Sequence, residues 1–81
     1  MDTIIIYDIS DNSLRARVAK VLLDYRCIRI QKSAFWGIMN HNTREKLRLR
    51  LERMMHEKEG NIQFYPMCSK CFSLKDSIGE I

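Results

Sequence analysis

Three groups of residues in this sequence have the types and spacing to do chemistry. The first is a single carboxylate. Asp8 follows an apolar run over residues 3–7, at the strand end where α/β proteins commonly place polar groups. A carboxylate there can hold a hard cation such as Mg²⁺, which takes oxygen ligands and keeps several waters. The competing role is structural, since Asp also caps a turn or helix that follows. One carboxylate is too little for an all-protein metal site. A twofold dimer, however, would set two copies of Asp8 in opposition.

The second group is Arg15, Arg17 and Arg29. The planar guanidinium fork suits phosphate. Arg15 and Arg17 are two apart, so on a helix they point in different directions and do not form one clamp. A solvated helix face is the competing reading for each. The third group is the pair in Cys68-Ser69-Lys70-Cys71. A structural zinc site needs four ligands, and Cys27, His41 and His56 are distant in sequence. Two copies in a dimer would supply four sulfurs. A redox pair normally opens a helix near a βαβ unit, whereas this one follows Pro66 in an expected loop or edge strand. An ordinary reduced pair is the first expectation. No Ser/His/Asp arrangement, phosphate loop or dinucleotide fingerprint is present. Phe35, Trp36, Phe64 and Tyr65 are expected as core before base-stacking residues, and the motif of an RNA-stacking sheet is missing.

The elements that must position these groups follow from periodicity. Residues 3–8 (TIIIYD) are β-branched and aromatic, which predicts a buried strand. Asp8, Ser10, Asp11 and Asn12 are turn and N-cap residues. Leu14, Val18, Val21, Leu22 and Tyr25 recur at helical spacing, which predicts an amphipathic helix over 12–25. Residues 28–36 alternate with one slip between Ile30 and Ala34, which predicts one or two strands, such as a bulged hairpin, ending at Gly37. A second helix is expected from Asn42 or Thr43 to about Glu59, with Leu47, Leu51, Met54 and Met55 inward and Gly60 as its C-cap. Residues 61–65 predict a strand stopped by Pro66, and residues 70–74 an edge strand. The fold class expected is α+β: a ferredoxin-like βαββαβ sandwich with two helices on one face of an antiparallel sheet, plus that extra C-terminal edge strand. Residues 1–81 are read as one domain.

Composition bounds the partners. With 46% hydrophobic and 30% charged residues, 3 Gly and 1 Pro, collagen and a disordered polar tail are excluded. No apolar run approaches the roughly 20 residues of a membrane span. Asp2 and Asp8 stand where a signal peptide needs a basic and then an apolar region, and three cysteines make no disulfide framework. A cytoplasmic location is therefore expected. The net charge of +4 is uneven. Residues 1–24 set Arg15, Arg17 and Lys20 against four Asp, for −1. Residues 25–59 hold nine cations against Glu45, Glu52, Glu57 and Glu59, for +5. A basic excess of this kind suits a polyanion such as nucleic acid, and a solvated helix face is the alternative.

Taken together, IIIYDISDNSLRARVAKVLLDY followed by RIQKSAFWG resembles the small family of CRISPR-associated adaptation proteins called Cas two. The matching residues are Tyr7, Asp8, Arg15, Arg17, Arg29, Gln31, Ser33, Phe35 and Gly37. Pro66-Met67-Cys68-Ser69-Lys70-Cys71 and Ile78-Gly79 resemble the family's C-terminal pattern. Two positions depart: Arg26 stands where the family often has Gly, and Trp36 where an acidic residue is usual. The resemblance implies a ferredoxin-like homodimer whose C-terminal segment pairs onto the partner subunit. It implies a role in spacer acquisition beside a CRISPR integrase subunit, and Mg²⁺-dependent endonuclease activity on RNA or DNA. The aspartate matching Asp8, from both protomers, would be the metal ligand. Tyr7, Arg15, Arg17, Arg29 and Phe35 would be its functional neighbours in catalysis. Two other readings stand beside this one. A non-catalytic adaptor would bridge integrase subunits on duplex DNA through the cations of residues 26–32 and 44–53. A small toxin-like RNA-cleaving protein would share the fold.

Overall fold

Thr3, the three isoleucines and Tyr7 favour extended backbone, and they form the central strand of a computed structural model that describes residues 1–79. Strand β1 (Asp2–Asp8) leads to helix α1 (Asn12–Asp24), strands β2 (Ile28–Gln31) and β3 (Ala34–Ile38), helix α2 (His41–Met54), strand β4 (Asn61–Met67) and a short helix α3 (Ser69–Ser73). The sheet order is β2-β3-β1-β4, and every pairing is antiparallel. This is the expected α+β, ferredoxin-like arrangement, with α1 and α2 on one face. The hairpin carries a β-bulge between Arg29 and Gln31, earlier than the slip expected between Ile30 and Ala34.

Local chemistry sets the ends of the helices. Asp11 caps α1, its carboxylate accepting the Ser13 N–H at 3.3 Å. At the other end the Cys27 N–H donates to the Leu22 carbonyl at 3.0 Å and the Arg26 N–H to that of Leu23 at 2.9 Å. That pair of bonds is a Schellman motif, whose C′ residue takes left-handed backbone and is usually Gly. Here it is Arg26, at φ 64°, so its departure from the family's Gly falls at a strained position. Asn40 caps α2 by accepting the Thr43 N–H at 2.8 Å. Helix α2 stops at Met54, short of the expected Glu59, and Glu57 turns left-handed at φ 58°.

Three expectations need correction beyond that point. Gly60 does not cap the helix. It enters β4 at φ 123°, where an added Cβ would lie 2.6 Å from the Asp8 carbonyl oxygen. Pro66 does not stop β4, which runs on to Met67. As an edge strand, β4 tolerates a residue without an N–H. Residues 70–74 are not an extra C-terminal edge strand, because Ser69–Ser73 coils into α3.

The two faces of the sheet differ. Ile5 and Tyr7 of β1 point at the helices, with Phe35 of β3, and pack on Leu14, Val18, Leu22, Leu47 and Leu51, all buried. Ile62 and Phe64 of β4 pack against the same cluster. Ile4, Ile6 and Asp8 alternate onto the other face. There Ile6, Ile28, Ile38 and Tyr65 are exposed, so Tyr65 is not core. The Trp36 end of that face is covered: Phe72 of α3 stacks on Trp36 at 5.2 Å and 12°, and Asp2 beside it is buried.

Candidate nucleic-acid site

Asp8 closes β1 opposite Asn61 of β4. Because Asp11 supplies the cap of α1, Asp8 is free of that role, and its side chain is exposed. Gly60 allows the chain to pass close behind its backbone. A 480 Å³ cleft beside it is lined by Asp8, Ile9, Arg15, Arg29, Lys32 and Ser33. A smaller neighbouring cleft of 180 Å³ shares Arg15, Arg29 and Lys32, and adds Tyr7 and Asn12. Three cations from α1, β2 and the β2–β3 turn thus converge beside one carboxylate.

Each cation is oriented by local bonds. Arg15 donates to the Ile9 carbonyl at 3.1 Å and also to the Asn12 side chain, which turns it back toward the end of β1. Arg29 donates to the Lys32 carbonyl at 2.7 Å, and its guanidinium lies 4.9 Å from the centre of the Phe35 ring. The Tyr7 hydroxyl donates to the same Lys32 carbonyl at 3.3 Å, and its ring stacks on Phe35 at 6.1 Å. Tyr7 is 2% exposed and Phe35 0%. Tyr7 still lines the smaller cleft, whereas Phe35 lines neither, and both contact the groups that hold Arg29 and the β2–β3 turn.

Arg17 lines neither cleft and is exposed on α1, as its offset from Arg15 requires. Trp36 is paired with Ile4 in register, about 13 Å along the strand from Asp8, so it is no neighbour of that carboxylate. Lys32, Ser33 and Asn12 are the polar lining residues that sequence reasoning did not assign to the Asp8 site. The bulged hairpin was the available signal, since it turns Lys32 toward the end of β1. The second helix carries its own cations: Lys46, Arg50 and Arg53 are exposed, and Arg48 pairs with Glu52 at 3.3 Å.

The donor set bears on metal binding. Among the described residues no three His, Cys, Asp or Glu side chains gather to hold an ion. Mg²⁺ is commonly held by one or two carboxylates together with substrate phosphates. One exposed carboxylate at the rim of a cationic cleft fits that mode of binding, with Asp8 as the protein ligand. Among the described residues, no helix is long and apolar enough to cross a membrane.

Comparison with known proteins bears on the family and the fold. The family described as CRISPR associated protein Cas2 matches residues 1–74. A CRISPR-associated endoribonuclease Cas2 of Desulforudis audaxviator is 37% identical over 78 residues, covering 96% of this chain and 74% of the relative. A CRISPR-associated endonuclease Cas1/endonuclease Cas2 fusion of Thermoproteus tenax is 35% identical over 65 residues, covering 80% of this chain and 25% of the fusion. The crystal structure of Streptococcus pyogenes Cas2 at pH 6.5 superposes with a TM-score of 0.84 at 24% identity, covering 98% of this chain and all of that one. At that identity the likeness speaks for the fold.

Proposed function

Since the chain belongs to the CRISPR associated protein Cas2 family, we propose that it is a spacer-acquisition protein and a Mg²⁺-dependent endonuclease on RNA or DNA. The observation that carries this reading is the placement of Asp8 in one cleft with Arg15, Arg29 and Lys32. Non-bridging phosphate oxygens would be bound by the two guanidinium groups and the ammonium, as charge-assisted hydrogen bonds. Arg29 meets the phosphate already oriented by Phe35 and the Lys32 carbonyl. Mg²⁺ on Asp8 would supply water activation and stabilisation of developing phosphoryl charge.

The working unit of this proposal is a homodimer. The accessible surface is 6071 Å², against about 5,100 Å² for a folded monomer of this mass. Part of that excess lies in the exposed tail, where Leu74 and Ile78 stand out, and part on the open face of the sheet. Ile6, Ile38 and Tyr65 make the open face apolar. Asp8 shares that face by strand alternation, so a copy seated on it would bring a second Asp8 toward the first. A CRISPR integrase subunit is the proposed protein partner, supported by the fused relative.

Purified wild type and Asp8→Asn, assayed on single-stranded RNA and duplex DNA with and without Mg²⁺, test the catalytic reading. Cleavage should require both the ion and Asp8. An Asp8→Asn protein that cleaves as well as wild type would defeat it. A second reading, the adaptor without chemistry, is favoured by the exposed cations of α2, which lie apart from the cleft. It requires duplex binding that weakens steeply with salt in proportion to the phosphates contacted, and binding insensitive to salt would rule it out.

A further inference from the structure

Cys68 and Cys71 take no part in the cleft, yet the fold sets them up for chemistry of their own. Both are exposed free thiols, whereas Cys27 is buried. Cys68 is the residue preceding α3, and its sulfur accepts the Cys71 backbone N–H at 3.3 Å. That contact draws the Cys68 sulfur over the Cys71 backbone. Residues three apart in a helical turn have Cα atoms about 5 Å apart, from the rise and pitch of the helix. A disulfide spans roughly 4.4–6.8 Å between Cα atoms, so this separation is within a disulfide's reach. A loop or edge strand, expected here from the sequence, would count against a redox pair. With the pair at the start of a helical turn, that objection is gone.

The two sulfurs are also unlike. The Cys71 side chain, hydrogen-bonded to Cys68, holds the Cys68 thiol below its ordinary range, helped by the Cys71 backbone N–H. The same bond, and the charge on Cys68, push the Cys71 thiol up. One sulfur is thus suited to attack and the other to wait protonated.

We propose that Cys68 and Cys71 form a thiol–disulfide exchange site whose oxidant is a low-molecular-weight disulfide. The Cys68 thiolate attacks one sulfur of the disulfide, breaking its S–S bond, forming a mixed disulfide and releasing the first thiolate. Cys71 then loses its proton to solvent and attacks the Cys68 sulfur. The Cys68–Cys71 bond forms, the mixed disulfide breaks and the second thiolate leaves. The protein pair gives up two electrons, and the small disulfide becomes two thiols. A zinc clip is the competing use of two sulfurs. It needs four ligands, and no third His, Cys, Asp or Glu stands near the pair among the described residues.

The test is incubation of the full chain in mixtures of oxidised and reduced glutathione, followed by acid quench, alkylation and peptide mass mapping. Wild type should form an intramolecular Cys68–Cys71 disulfide and leave Cys27 alkylatable. Cys71→Ala should accumulate a stable glutathione adduct on Cys68, because nothing resolves it. Cys68→Ala should react at Cys71 several-fold more slowly. The proposal is overturned if wild type stays reduced across the mixtures, or gathers adducts on both cysteines without closing. It is overturned equally if equimolar zinc chloride shields both thiols from alkylation.

Discussion

Strand β1 carries a carboxylate at each end of one face, and the two have opposite fates. Asp2 is 4% exposed and accepts the Trp36 indole N–H at 2.8 Å. Asp8, about 20 Å along the strand, is exposed and borders a cleft lined by Arg15, Arg29 and Lys32. The side chains are the same and so is the face. What differs is the neighbour each end meets. At the Asp2 end, Phe72 folds over Trp36 and closes the surface. At the Asp8 end β3 reaches no further than Ala34, paired with Ile6, and α1, β2 and the β2–β3 turn each bring a cation instead of a cover. A covered carboxylate with a single indole donor serves the fold. An open one among guanidinium groups can serve a phosphate.

The largest effect expected separates the ends by activity. Arg29→Ala should lower cleavage by about 10²–10³-fold, the range for removing one preorganised donor from a charged transition state. Its melting midpoint should scarcely move, because Arg29 is exposed. Steady-state cleavage and a thermal melt on the same preparation check both halves. A large loss of stability would mean that the Phe35 stack serves the fold more than the site.

Gly60→Ala comes next, and it strikes the Asp8 end through the backbone. The new Cβ would sit 2.6 Å from the Asp8 carbonyl oxygen, on a residue at φ 123°. Left-handed strain and the clash together should cost about 1–3 kcal/mol, read by urea denaturation. Because β4 and β1 must part there, cleavage should fall along with stability. Retained cleavage in a destabilised protein would show that the exact position of Asp8 matters little.

The Asp2 end should give the converse. Asp2→Ala removes the acceptor of a partly buried indole N–H. A hydrogen bond to a charged group is worth about 1.5–3 kcal/mol, and the variant should lose about that much stability with cleavage per folded molecule unchanged. A fall in the turnover of the folded fraction would erase the contrast between the two carboxylates.

That contrast was only half legible in the sequence. Asp2 and Asp8 flank one apolar run, and no local signal marks Asp2 as the one that becomes buried. Asp8 was singled out by the turn residues after it and by the Tyr-Asp of the family pattern, while the donor for Asp2 lies 34 residues away on β3. The strands and both long helices were readable because alternation and 3.6-residue periodicity are local signals. Gly60 was misread because the same residue type suits a C-cap and a close backbone approach, and only the packing of β4 on β1 decides between them. The segment at residues 70–74 was misread for a related reason. Its short apolar pattern fits a strand or a helical turn, and the stacking of Phe72 on Trp36 selects the turn. Of the site, Arg15 and Arg29 were readable from the sequence and Lys32 was not, since its inclusion depends on how the bulge aims the hairpin.

The smallest effect tests the cover itself. Phe72→Ala should cost only about 0.5–1.5 kcal/mol, the value of an aromatic pair beyond its buried area, because Phe72 is half-exposed and α3 is one turn long. Trp36 is the single tryptophan, so its fluorescence reports this end alone. Removing the ring should shift Trp36 emission to the red as water reaches the indole. It should also raise the exposure of Asp2, making the two ends more alike without supplying Asp2 with the cations that surround Asp8. Phe72→Ala should therefore leave Asp2 inert and the cleavage rate unchanged. If cleavage rises or a second metal-dependent phase emerges, the cover and not the ring of cations is what keeps the two carboxylates apart in function.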